Sequence, residues 1–258
     1  MISERFAPSP TGLLHLGHAY SALMAFEAAK AVNGTFLLRI EDIDSARSKP
    51  EFLDAIYEDL DWLGLSWPEP VMVQSTRLDT YAAALRHLRD MGLTYPCSCT
   101  RRDITDALTA PQEGAENMVG PDGLVYPGTC RHRGMGDRRD GDAIRLNMAA
   151  AVKACREIDI LGYAEIGLND GWKPLDPEYL IESCGDIVLA RRDIGTSYHI
   201  AVVVDDADQG ITHVTRGHDM AAATPIHILL QNLLNLPRPT YRHHRLIRDT
   251  TGKRLAKR

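Results

Sequence analysis

The apolar positions of this chain change their period several times, and each change marks an element. A short β-type run around Arg5–Ala7 ends in a stretch broken by Pro8, Pro10 and Gly12. Beyond it Ala22, Leu23, Ala25, Phe26 and Ala29 recur at helical spacing, so the pattern predicts a strand, a turn and a helix from His18. A strand over Thr35–Ile40 follows, then amphipathic helices around Glu51–Leu63 and Leu78–Met91. Alternation of this kind predicts an α/β fold with a doubly wound parallel sheet.

After Tyr95 the periodicity fades. Residues 96–140 hold three cysteines, scattered arginines and many prolines and glycines, and read as an insertion. Strand patterns return at Ala143–Leu146 and Ile158–Ile166. The continuous apolar run Ile200–Val204 is what a central buried strand requires, and strand Thr212–Arg216 and helix Pro225–Leu234 extend the same sheet. The expected organisation is a nucleotide-binding domain in two halves, 1–95 and 190–238, interrupted by a smaller inserted domain over 96–189. A basic segment, 239–258, closes the chain.

Within Arg5-Phe-Ala-Pro-Ser-Pro-Thr-Gly-Leu-Leu-His15-Leu-Gly-His18 the strand end, the broken turn and the two histidines fall within a few residues. The histidines sit at a helix N-terminus, where free N–H groups and the helix dipole attract phosphate, and Gly17 lets a ligand approach the backbone. The stretch resembles the first signature of the class I aminoacyl-tRNA synthetases, "HIGH", in the form carried by glutamyl-tRNA synthetases; here it reads HLGH. The implied fold is a class I Rossmann domain. The implied ATP contacts are His15, Gly17 and His18, the two histidines being catalytic.

Glu41 follows a strand in Leu-Arg-Ile-Glu-Asp-Ile-Asp, at the carboxyl end where parallel sheets bind ligands, and could pair with an ammonium. A free glutamate also needs fork-shaped cationic donors, for which Arg5 and Arg216 are the candidates, and Tyr198, placed just before the expected central strand, could add a hydroxyl. The first of these segments resembles the family's "LRIEDTD". Val203-Val-Asp-Asp206 and Gly210-Ile-Thr-His-Val-Thr-Arg-Gly217 resemble its "VVDD…GITHVxRG". By that resemblance Arg5, Phe6, Ala7, Pro8, Ser9, Glu41, Tyr198 and Arg216 surround the amino acid, with Glu41 on its α-amino group.

Charge changes the picture locally rather than globally. The chain of 258 residues is 44% hydrophobic and 25% charged, with a net charge of −6. Arg238–Arg258 nonetheless holds eight Lys/Arg against one acid, Asp249, leaving 21 basic against 34 acidic residues over 1–237, a balance of −13. Arg101, Arg102, Arg131, Arg133, Arg138 and Arg139 form a second basic group beside the cysteines, and such patches rather than a high overall pI are what a polyanion requires. Thr251-Gly-Lys-Arg-Leu-Ala-Lys-Arg258 resembles the second class I signature, "KMSKS", in its glutamyl form "GKKLSKR". Arg254 replaces the first lysine and Ala256 the serine, while Lys257 remains as the cation expected on the ATP phosphates.

No uninterrupted apolar segment reaches the ~18 residues of a membrane span, and no basic region precedes the apolar stretch at 12–32, so the expected compartment is the cytoplasm. Five cysteines, an odd number, argue against a disulfide framework. Cys155 and Cys184 have no partner motif and are expected in the core. Cys97-Ser-Cys99 with Tyr126-Pro-Gly-Thr-Cys130-Arg-His132 has the ligand types of a structural zinc site. Spacing favours His132 as the fourth ligand. Resemblance to truncated paralogues in the family, whose insertion reads C-x-C…Y-x-x-x-C, favours Tyr126.

A full synthetase of this family carries an anticodon-binding region beyond the second motif, and this chain stops at the motif. The resemblance therefore points to the truncated paralogues. It implies a ligase that activates L-glutamate with ATP and Mg²⁺, then passes it to queuosine in the anticodon loop of tRNA(Asp), as a monomer with one structural Zn²⁺. The alternatives are a catalytic half charging tRNA(Glu), or a non-catalytic zinc-containing RNA-binding module.

Overall fold

The computed structural model describes residues 1–109, 119–156, 162–168 and 170–255. The first half-sheet is built from β1 (Ser3–Phe6), β2 (Thr35–Ile40) and β3 (Met72–Val73), all parallel, in the order β1-β2-β3. Between its strands run α1 (Leu16–Lys30) and α2 (Pro50–Trp62), the latter opening on a proline that is pre-set for the first helical turn. Helix α1 buries Ala22, Ala25 and Ala29, whose small side chains let it lie close to the strands. Helix α3 (Leu78–Asp90) buries Tyr81, Leu85 and Leu88 along one stripe, as its periodicity predicts.

The insertion carries its own antiparallel sheet. Strands β4 (Thr94–Cys97) and β7 (Ala143–Leu146) pair, and β10 (Val188–Ala190) adds to the far side of β7. Helix α4 (Arg101–Thr109), the short hairpin of β5 (Val119–Gly120) and β6 (Gly123–Leu124), and α5 (Met148–Arg156) fill the connections. Two further strands from the same stretch of sequence, β8 (Gly162–Glu165) and β9 (Gly171–Pro174), do not join that sheet. The expected strand over 158–166 lies partly outside the described residues, and its described part is β8.

The run Ile200–Val204 is not a strand. It lies within α6 (Tyr198–Asp208), a helix buried on nearly every side from His199 to Asp206. A short apolar run enclosed by protein has no polar face to reveal its period, so helix and buried strand look alike in sequence. Tyr198 accordingly stands at a helix start rather than before a strand. After α6 come β11 (His213–Gly217), α7 (Thr224–Leu233) and β12 (Thr240–His244), ordered in the second half-sheet as β11-β12-β8-β9. Strand β12 falls inside the basic C-terminal segment, where Tyr241, His243 and His244 are buried. Cys155 and Cys184 are core residues, as expected.

The two half-sheets meet at β1 and β11, where strand order reverses. The Thr212 N–H donates to the Ser3 carbonyl at 2.9 Å. Further along, the Glu4 carboxylate fills the gap, accepting from the Thr215 N–H at 3.1 Å and the Thr215 hydroxyl at 2.9 Å. Such a reversal leaves a crevice at the carboxyl ends of the strands, the usual ligand position in open α/β sheets. Arg5 and Arg216 are the next residues along the two strands toward that crevice.

Candidate active site

His15 caps α1, so the helix starts at Leu16, two residues before the start expected from periodicity. Its Nδ1 accepts from the Gly17 N–H at 3.1 Å, while its own N–H donates to His18 Nδ1 at 3.1 Å. The two rings lie 3.8 Å apart, which fixes both at the helix mouth. A Cβ on Gly17 would sit 2.9 Å from His15 Cε1. The close approach that demands glycine is thus made by the His15 ring. A cleft of about 300 Å³ opens here, lined by His15, Gly17 and His18, by Gly217 and Asp219 after β11, and by Arg254. Arg254 NH1 reaches Asp219 at 2.6 Å and holds the C-terminal segment against the helix mouth. The two sequence motifs therefore share one cleft; Ala256 and Lys257 lie outside the described residues.

The turn after β1 is tied to the end of β2, since the Glu41 N–H donates to the Pro8 carbonyl at 3.0 Å. Phe6 and Pro8 are buried, and Ala7 and Ser9 half-buried. Behind the turn Asp206 of α6 binds two guanidiniums, with Oδ1 2.9 Å from Arg5 Nε and 2.6 Å from Arg39 NH1. Burial disfavours ionisation of Asp206, but Arg5 and Arg39 outweigh it and hold its carboxyl below the usual range. Arg39 also reaches Glu41 at 3.0 Å. Burial leaves Glu41 raised despite that pairing, so an arriving ammonium would favour its ionised form.

Arg216 is arranged differently. It is 7% exposed and forms no salt bridge with a carboxylate among the described residues. Its donors go to neutral groups: Nε to His243 Nε2 at 3.2 Å, NH1 to Tyr198 Oη at 3.3 Å and His227 Nδ1 at 3.2 Å, and NH2 to Thr224 Oγ1 at 2.6 Å. Carboxylates stand further away, one imidazole beyond the guanidinium on one side and two on the other. Glu165 accepts from His243 Nδ1 at 2.9 Å. Asp122 accepts from His199 Nε2 at 2.9 Å, and the next link is a 3.1 Å bond between His199 Nδ1 and His227 Nε2.

One proton register satisfies both chains. His199 donates to Asp122, His227 donates to His199, and His227 Nδ1 is left with a lone pair for Arg216; His243 likewise gives its proton to Glu165. Burial and the Arg216 charge hold His227 well below the ordinary imidazole range and bring His243 down to about 4. Arg216 is thereby fixed in direction while its charge stays unmatched by a direct carboxylate contact, which suits it to receive the carboxylate of a ligand. Glu4, Arg39, Asp122, Glu165, His199, His227 and His243 were not singled out from the sequence. The available signal was polar residues inside apolar runs, notably His199 and Asp205-Asp206 in α6 and His227 in α7.

In the insertion the Sγ atoms of Cys97, Cys99 and Cys130 lie within 4.8 Å of one another, close enough to hold one metal ion. Tyr126 Oη is 3.4 Å from Cys97 Sγ and 3.3 Å from Cys99 Sγ. His132 is exposed.

The chain matches the class I tRNA synthetases (E and Q), catalytic domain, over residues 1–258. It is 54% identical to a glutamyl-Q tRNA(Asp) synthetase of Rhodobacter capsulatus, across 98% of this chain and 90% of that protein. It is 41% identical to the protein of that name from Burkholderia cenocepacia, across 98% and 79%. Among solved structures it resembles a glutamate tRNA ligase from Elizabethkingia meningosepticum in complex with its amino acid, with a TM-score of 0.75 and 26% identity. That likeness covers 98% of this chain and 51% of the ligase, so the chain spans about half its length. No helix among the described residues is long and apolar enough to cross a membrane. On the whole-chain match and the identity to these relatives, the chain belongs to the class I tRNA synthetases of the E and Q type, in the glutamyl-Q tRNA(Asp) synthetase family.

Proposed function

We propose that the crevice activates L-glutamate with ATP and that the glutamyl group then passes to a hydroxyl of queuosine in tRNA(Asp). Arg216 receives one carboxylate of the amino acid, with the Tyr198 hydroxyl beside it. Glu41 takes the ammonium, and Arg5 and the Phe6–Ser9 turn close the pocket. The α-carboxylate oxygen attacks the α-phosphorus of ATP and pyrophosphate leaves. A queuosine hydroxyl then attacks the glutamyl carbonyl, loses its proton, and AMP departs. His15, Gly17, His18 and Lys257, with Mg²⁺ on the nucleotide, position the phosphates and offset their charge, which is the main requirement of phosphoryl chemistry. The supporting observation is the buried Arg216, which lacks a carboxylate partner among the described residues. It stands one residue from Gly217 in the cleft shared by the HLGH turn and Arg254.

The cysteine cluster fits structural zinc. Zn–S bonds of about 2.3 Å at tetrahedral angles separate sulfurs by roughly 3.8 Å, and Cys99 Sγ and Cys130 Sγ are 3.5 Å apart. The Tyr126 oxygen on the same group makes it our choice of fourth ligand over the exposed His132. Zinc there would supply the cross-link that a small loop-rich insertion lacks.

The test is incubation with ATP, labelled glutamate and total tRNA, followed by nuclease digestion and mass spectrometry. Glutamyl-queuosine from tRNA(Asp) is the expected product. Label confined to the 3′ end of tRNA(Glu) would replace this reading with ordinary charging, and no glutamate-dependent ATP–pyrophosphate exchange would end it.

A further inference from the structure

A second cleft, of about 190 Å³, opens between α3 and the insertion sheet, and five arginines line it: Arg86, Arg89, Arg138, Arg191 and Arg192. All five are exposed in a chain whose net charge is −6. The acid on its wall, Asp142, is matched by Arg133 at 2.7 Å. Arg89 is paired with Asp90, and Arg191 with Asp193 and Asp44. Arg192 donates instead to the backbone carbonyls of Cys97 and Cys99 and makes no direct ion pair among the described residues, although its charge acts on Asp103. Arg86 and Arg138 form no ion pair among the described residues. Three guanidiniums thus face one cleft without a direct carboxylate contact, the composition of a phosphate-binding wall.

The cleft is also tied to both features of the site. Arg191 reaches Asp44 at 3.1 Å, three residues beyond Glu41, and Arg192 holds the Cys97–Cys99 loop. A polyanion seated here would lie along the join between the glutamate pocket and the cysteine-held insertion. We propose that this arginine-lined cleft binds the phosphate backbone of the RNA acceptor, with Arg86, Arg138 and Arg192 as its contacts. The proposal rests on the reading of the chain as an RNA glutamylating enzyme, and it names the face on which that RNA lies.

Backbone contacts carry no sequence information, so an unmodified tRNA(Asp) transcript, which cannot accept glutamate, is a suitable probe. Binding of the transcript is measured across a salt series for the parent chain, for Arg86→Glu/Arg138→Glu and for Arg86→Lys/Arg138→Lys, beside ATP–pyrophosphate exchange. The glutamate pair should weaken binding at least about tenfold and reduce the salt slope by about 1.5, since each of the two lost phosphate contacts contributes roughly 0.7–0.9. The lysine pair should retain most of the slope, and exchange should be unchanged in both. Parental affinity and slope in the glutamate pair would overturn the assignment. Failure of exchange in the parent chain would strike the proposed chemistry alone, because the cleft is judged by transcript binding.

Discussion

Arg216 and His227 meet at 3.2 Å with the imidazole accepting, so the arginine is held by a neutral partner. A carboxylate in that place would bind the guanidinium more tightly and neutralise the charge that a ligand carboxylate would meet. Arg216→Met should raise KM for glutamate by on the order of 10²-fold or more, as expected when one side of a buried charge pair is removed. KM for ATP should change little. Steady-state exchange kinetics on a variant with an unchanged circular dichroism spectrum make the check.

Acidification should undo the same arrangement. With its pKa lowered from the ordinary 6.5 to about 4, His243 is neutral when folded across a range in which the unfolded chain is protonated. The unfolded state therefore binds more protons, and stability falls as pH drops through about 6.5 toward 4, by on the order of 3 kcal/mol at the low end. Proton uptake by His227 or His243 also turns an N–H toward Arg216. Melting temperature should decline across that window and glutamate affinity only as the pH nears about 4, and flat profiles would contradict the assigned proton register.

Asp122 sets that register from the insertion. Removing its carboxylate in Asp122→Ala frees His199 to reverse its tautomer, which presents His227 Nδ1–H to the arginine. KM for glutamate should rise several-fold with little change in KM for ATP, whereas Asp122→Asn, which still accepts a hydrogen bond, should lie nearer the parent chain. Equal effects on the two substrates would assign Asp122 a merely structural part.

Gly17→Ala tests the helix mouth without removing a functional group. The new Cβ would meet His15 Cε1 at 2.9 Å and displace the ring from its stack on His18. ATP–pyrophosphate exchange should fall at least tenfold while the melting temperature stays within a few degrees. His18→Ala should cost on the order of 10²-fold or more in exchange rate.

Metal content settles the cysteine cluster. Elemental analysis should find about one zinc per chain, lost in Cys97→Ser along with several degrees of melting temperature. His132→Ala should retain the metal, and its loss there would move the fourth ligand from Tyr126 to His132.

What the sequence discloses here is what is local. The broken turn, the two histidines at a helix mouth and Glu41 after β2 can be read because each motif lies within a few residues of one strand end, whereas the capping role of His15 cannot. Arg216 was legible as a candidate, but not the reason it is available, because its surroundings come from α6, α7, β8, β12 and the β5–β6 turn. The misread run at 200–204 fails for a related cause: α6 is enclosed on nearly all sides, so its helical period leaves no trace. Strand β12 is hidden because Arg242 separates the buried Tyr241 and His243 and further arginines flank the strand, so the stretch reads as a basic segment.

The join between β1 and β11 rests partly on the Glu4 side chain, where a continuous ladder would have locked the halves with backbone bonds. The halves are joined there by the Ser3–Thr212 bonds and the Glu4–Thr215 contacts rather than by a paired ladder. Arg5 and Arg216 stand on opposite sides of that join, each one residue beyond the Glu4–Thr215 contact, so the Glu4 carboxylate bears directly on the spacing of the proposed amino-acid clamp.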